Sequence, residues 1–394
     1  MSDLERIFSI KVSHLEKRIA DVKSCLTSYS SEPIRYFIDL INNEIDHCQQ
    51  RIEKTKQDFI NFKITVTGLR EDSLPHNLQN QFSAIMNSLS NVTYTFYVSI
   101  ETIIPFLRRW EHQNVDNELS TWHKILTQYV EELKNLIGTS TPLLSIFGIE
   151  FSTIPLQKNE ANNIAHIIII PESQISDLTR WSIASHEIGH VFYDNEKPSI
   201  ANGVLQPMLE KIKSMNISNE EDERDFRATW GGYWVKELVS DLIGVRTLGP
   251  IFAEKALEDA FGPSPSSFVR NKTTHPPWEI RMKLISKAIN NLNLEEYSFD
   301  SSFQLWEQYK NTYVQEKDDF YAGLITSNDF DDYVIDLICN TVSIKPIETL
   351  WKEISQIRPD NVNSFSTIAA VSAYSLERDD EKQKQLKSAI MAKH

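Results

Sequence analysis

The sequence predicts a mainly helical protein with a small β-sheet, an α+β chain, and three observations predict it. Glycine is scarce, 11 residues in 394, and none precedes Gly68, so long stretches carry no turn signal. Apolar residues recur at helical spacing over most of both ends of the chain. Ala165–Pro171 (AHIIIIP) sets four consecutive isoleucines against a proline, the pattern of a short buried strand.

Taken in order, residues 4–28 and 33–58 read as two amphipathic helices broken near Ser30–Pro33. Residues 60–69 (INFKITVTGL) alternate apolar and polar side chains, as a strand or a helix end does. Residues 76–110 and 117–137 read as helices. Composition shifts at Gly138–Pro142 (GTSTP), which places a boundary there. After the isoleucine strand, 176–194 reads as a helix with Ser176 as N-cap. Residues 195–219 read as an irregular connection with a short helix, and 220–227 as a charge run. Gly231–Gly232 is expected to interrupt the pattern before a helix over 233–248 and another to Phe261. Residues 262–267 read as a Pro/Ser loop, 277–291 as helix, and 300–390 as mostly helical. The division expected is a helical N-terminal region over 1–140, a central region over 141–295 and a helical C-terminal region over 296–394.

Composition narrows the function classes. Lys+Arg number 40 and Asp+Glu 55, a net charge of −15, which argues against a nucleic-acid surface. The three cysteines, Cys25, Cys48 and Cys339, form no CxxC pair, so free thiols are expected rather than a disulfide framework or a cysteine zinc site. The N-terminal residues lack a signal-peptide pattern, and the longest aliphatic run, Ile167 to Ile170, is far too short for a membrane span. The expectation is a soluble cytoplasmic protein with no membrane span, its oligomeric state left open.

The informative string is His186-Glu187-Ile188-Gly189-His190. On a helix, residues four apart share a face, so both imidazoles reach one Zn²⁺. Glu187 projects beside them, where it can take a proton from an activated water and deliver it to a leaving amine. Chance placement of the 10 histidines and the glutamates gives roughly 0.02 such strings per chain of this length. Gly189 costs about 1 kcal/mol in a helix interior, which a close approach of backbone or substrate would explain. A catalytic zinc site needs a third protein ligand and an open position. Glu237-Leu238-Val239-Ser240-Asp241-Leu242-Ile243-Gly244 offers it: Glu237 and Asp241 share a face on an otherwise apolar stripe. Glu237 can ligate the metal, and Asp241 can accept the second ring N–H of a ligand histidine.

HEIGH followed by ELVSDLIG resembles the gluzincin metallopeptidases, with their HExxH helix and ExxxD helix. The resemblance implies a zincin-like domain over 141–295, one Zn²⁺ per chain held by His186, His190 and Glu237, and Glu187 as general base. Thr273-Thr274-His275-Pro276-Pro277-Trp278-Glu279-Ile280-Arg281 is similar to the THPP…R segment of HtpX-like and CAAX prenyl peptidases. That likeness implies an oxyanion-stabilising role for His275 and a place near the site for Arg281. It covers about residues 165–290, and the chain lacks the membrane helices typical of those families. The implied function is a zinc-dependent endopeptidase acting on a peptide or protein substrate. Two other readings stand beside it: a regulatory protease of the ImmA/IrrE type that cuts one partner protein, and a non-catalytic zinc-containing interaction protein. Residues 164–170 are read as an edge strand along which a peptide could lie.

Overall fold

In the computed structural model, the described residues are 2–29, 32–69, 74–100, 103–113, 117–159, 162–215, 217, 220–261, 275–292, 294, 303–308, 329–344 and 348–394. The architecture is mainly α with a small three-stranded sheet. The chain forms two compact units, one of Met1–Asp116 with Leu156–Ala165, the other of Asn117–Pro155 with His166–His394.

Among the described residues, unit 1 is built on α1 (Ser2–Leu26), α2 (Glu32–Thr65), α3 (His76–Ser99) and α4 (Ile104–Gln113). The segment 60–69 is therefore the end of α2, not a strand. The helix expected over 76–110 is two helices: Pro105 has no backbone N–H and fits only the first turn of α4. Their stripes bury an aromatic seam in which Phe8 stacks on Phe59 at 4.1 Å and Phe62 meets Phe82 at 5.6 Å. Polar groups tie the surface, with Lys56 reaching Glu16 and Glu53.

Unit 2 contains α5 (Asn117–Ile137), β1 (Leu143–Gly148), the start of β2 (Ser152–Asn159) and most of β3 (Asn162–Pro171). The strand order is β1-β3-β2. β1 and β3 run parallel, with Leu143 opposite His166 and Gly148 opposite Pro171. The isoleucine strand is thus the central strand, not the expected edge. Ile167 to Ile170 are buried on both faces, which is what a continuous apolar run signals.

After a 3-10 turn over Leu178–Ile183, capped by Asp177 rather than Ser176, comes α6 (Ala184–Asn195). Next follow α7 (Lys197–Ile200), α8 (Gln206–Ser214), α9 (Glu220–Thr229), α10 (Val235–Leu248), α11 (Pro250–Ala260) and α12 (Trp278–Asn290). Gly231–Gly232 does not interrupt the chain: a π-helical turn, Trp230–Trp234, joins α9 to α10, with the buried Trp230 and Trp234 rings in edge contact at 5.0 Å. Gly249, at φ 55°, stops α10 in a conformation that glycine adopts without strain. The Pro/Ser loop 262–267 lies outside the described residues.

Helices Asp329–Thr341, Glu348–Gln356, Thr367–Leu376 and Asp380–Lys393 share the core of α6 and α10. α5 belongs there too. The Glu132 carboxylate accepts from the N–H groups of Thr367 and Ile368, capping a helix N-terminus far along the chain. The compact units therefore do not follow boundaries at 140 and 295. None of the three cysteines forms a disulfide. No described helix is long and apolar enough to cross a membrane.

Candidate metal centre

The site lies inside unit 2, where α6 and α10 pack side by side. α10 is buried on nearly all sides, so any polar group on it must find a partner inside the protein. Gly189 allows the approach of the two helices: a Cβ there would fall 2.5 Å from Ser240 Cα. The helix-interior glycine thus serves a close backbone contact.

This packing brings together the residues that the sequence singles out. His186 and His190 lie one turn apart on α6, with ring centroids at 4.8 Å. Glu237 Oε2 stands 3.3 Å from His186 Nε2, and Glu237 Oε1 3.5 Å from His190 Nε2. Donor atoms of all three residues lie within 4.8 Å of one another. Both Nδ1 atoms meet residues of α10: His186 Nδ1 donates to Asp241 Oδ1 at 2.9 Å, and His190 Nδ1 is 2.9 Å from Ser240 Oγ. Both Nε2 atoms therefore face the Glu237 carboxylate.

Asp241 is fully buried, and Arg281 of α12 neutralises it through two parallel bonds of 2.7 Å, Nε to Oδ2 and Nη2 to Oδ1. The guanidinium lies 4.2 Å over the Trp278 ring. Arg281 thus acts on the site through Asp241. His275 is exposed and sits three residues before the first residue of α12, its Nε2 3.6 Å from Glu237 Oε2. Thr273 and Thr274 lie outside the described residues.

Glu187 is buried beside the histidines. The Thr153 hydroxyl of β2 lies 2.8 Å from both the Glu187 carbonyl and Oε2. Sequence reasoning missed Thr153 and Ser240, because an isolated hydroxyl has no spacing signature. The one signal was the position of Ser240 beside Asp241 on the stripe facing α6.

The electrostatics follow from burial and pairing. Burial pushes the Glu187 carboxyl up, against the pull of His186 and Thr153. Burial, and then the charge of His186, push the His190 imidazole down to about 3. Burial opposes charge on His186 as well, but Asp241 and Glu237 outweigh it and hold this imidazole up. Burial would raise Asp241 too, yet Arg281 and His186 keep it well below the carboxylate range.

Two imidazoles and a carboxylate form a donor set that suits zinc and other first-row divalent ions. Glu237 Oε2 is buried with the His186 and His275 Nε2 atoms near it, at 3.3 and 3.6 Å, and a cation would take the place of such contacts. The residues present fit a metal ion. Comparison with protein-family models, with curated proteins and with solved structures finds no match.

Proposed function

We propose that this chain is a zinc-dependent endopeptidase of gluzincin type, built on a zincin-like arrangement of α6 and α10 over the sheet. The observation that carries the reading is the convergence of His186, His190 and Glu237 on one point, with the Glu187 carboxylate buried beside them. His186 Nε2, His190 Nε2 and a Glu237 oxygen would hold the ion. When bound, zinc supplies a Lewis acid and lowers the pKa of a water from about 15.7 towards roughly 7.

The residues of the chain do the remaining work. Thr153 holds Glu187 Oε2, so Oε1 is the atom left to accept a proton from the attacking water and pass it to the leaving amine. The burial that raises the Glu187 carboxyl makes it a better proton acceptor and lets it keep the proton until the amine departs. Asp241, backed by Arg281, fixes the His186 ring. His275, exposed near Glu237, is placed to donate to negative charge developing on a substrate carbonyl.

A purely structural zinc site has no use for Glu187 and closes its fourth position with Cys or His. Digesting a proteome with wild type and with Glu187→Gln, and reading new N-termini by mass spectrometry, tests the proposal. New termini are expected from wild type alone. Their absence, with about one zinc per chain bound, would leave a binding role; a single cleaved protein would favour a partner-specific regulatory protease.

A further inference from the structure

Ser240 lies three residues after Glu237, fully buried at the point where Gly189 lets α6 and α10 touch. Its Oγ donates to Lys236 O at 3.0 Å and stands 2.9 Å from His190 Nδ1. A hydroxyl has one proton and two lone pairs. When that proton goes to the Lys236 carbonyl, Ser240 Oγ accepts from His190. Nδ1 must then carry the ring hydrogen, and Nε2 keeps its lone pair. The opposite tautomer would put a proton on Nε2, 3.5 Å from Glu237 Oε1, and occupy the donor that a metal needs.

We propose that Ser240 is a positioning residue: it locks His190 in the Nδ1–H tautomer and so keeps Nε2 available as a metal donor. The inference rests on the metal-site reading above. Ser240 does for His190 what Asp241 does for His186, by a different device. A carboxylate can only accept from an N–H, and Asp241 needs Arg281 to neutralise it. Ser240 reaches the same end without charge, because the carbonyl one helical turn back holds its proton. The two supports thus add a neutralised pair and a neutral hydroxyl, and Glu237 would supply the negative charge toward a bound cation. A carboxylate at position 240 would bury a second negative charge.

The test uses the full chain with ¹⁵N-labelled histidine. In the metal-free wild type, long-range ¹H–¹⁵N spectra should show His190 protonated at Nδ1. In Ser240→Ala the ring should move to the Nε2–H form. Zinc affinity, read by competition with a chromophoric chelator, should fall about 10- to 100-fold, the usual loss when such a partner is removed. The His186 signals should stay in place. An Nε2–H tautomer in wild type would overturn the inference, as would a Ser240→Ala protein that binds zinc as tightly as wild type. A wild type that takes up no zinc overturns the metal reading itself. The tautomer, read without metal, separates the two failures.

Discussion

Unit 1 and unit 2 bury different things. The core of unit 1 is an aromatic and aliphatic seam with Glu44 buried beside it, and charged pairs such as Lys56 with Glu16 and Glu53 lie at the surface. Unit 2 buries His186, Glu187, Glu237 and Asp241 close together, with the half-buried Arg281 paired to Asp241. Buried charge costs stability unless it is paired, so a fold that keeps four such groups together carries a cost that the core of unit 1 avoids. The contrast teaches where to look: the aromatic seam explains why unit 1 holds together, and the charged cluster is where the proposed chemistry of unit 2 is to be tested.

Substitutions can break or sharpen this contrast. The largest effect is expected from Glu187→Gln, which should lower turnover about 10²- to 10⁴-fold, the range for a lost general acid–base, with zinc content unchanged. Next come two changes of similar cost and unlike signature. Arg281→Met leaves Asp241 buried without its counter-charge and should cost about 3–5 kcal/mol by denaturant titration, with weaker zinc binding. Phe62→Ala opens the seam of unit 1 and should also cost about 3–5 kcal/mol, yet leave zinc content as in wild type. If Phe62→Ala strips the metal, the contrast between the units fails.

A smaller effect concerns pH. Asp241 and Glu237 hold the metal-free His186 imidazole up and favour its protonated form, so a metal bound there would displace a proton. Zinc affinity should therefore rise with pH, about tenfold per unit while His186 stays protonated. Calorimetry in buffers of different ionisation enthalpy should count about one proton released. The smallest effect belongs to Lys56→Gln at the surface of unit 1, expected to change stability by no more than about 1 kcal/mol.

Much of the site was readable before any coordinates, for a physical reason. His186 and His190 fall within one helical turn, so spacing alone puts them on one face. Glu237 and Asp241 betray themselves as carboxylates on an apolar stripe. Ser240 and Thr153 carry no such mark, since each acquires its partner only when elements distant in sequence pack together. β2 was hidden by Pro155, which removes a ladder donor and is tolerated at a sheet edge. The glycine pair at 231–232 read as a break because its flanking tryptophans, Trp230 and Trp234, hold the helix together only through tertiary burial. The attachment of α5 to the C-terminal helices rests on Glu132 capping residues 367 and 368, a contact that no local pattern announces.

Gly189 sets more than the contact between two helices. With no side chain at that position, α6 and α10 stand closer than any other residue would allow. The spacing of the two helices that carry the three donors is then set by the backbone. In the proposed metal site, that spacing would set the size of ion the donors accept. A methyl group on Gly189 would work as a spacer, and the same donors would then favour a larger cation.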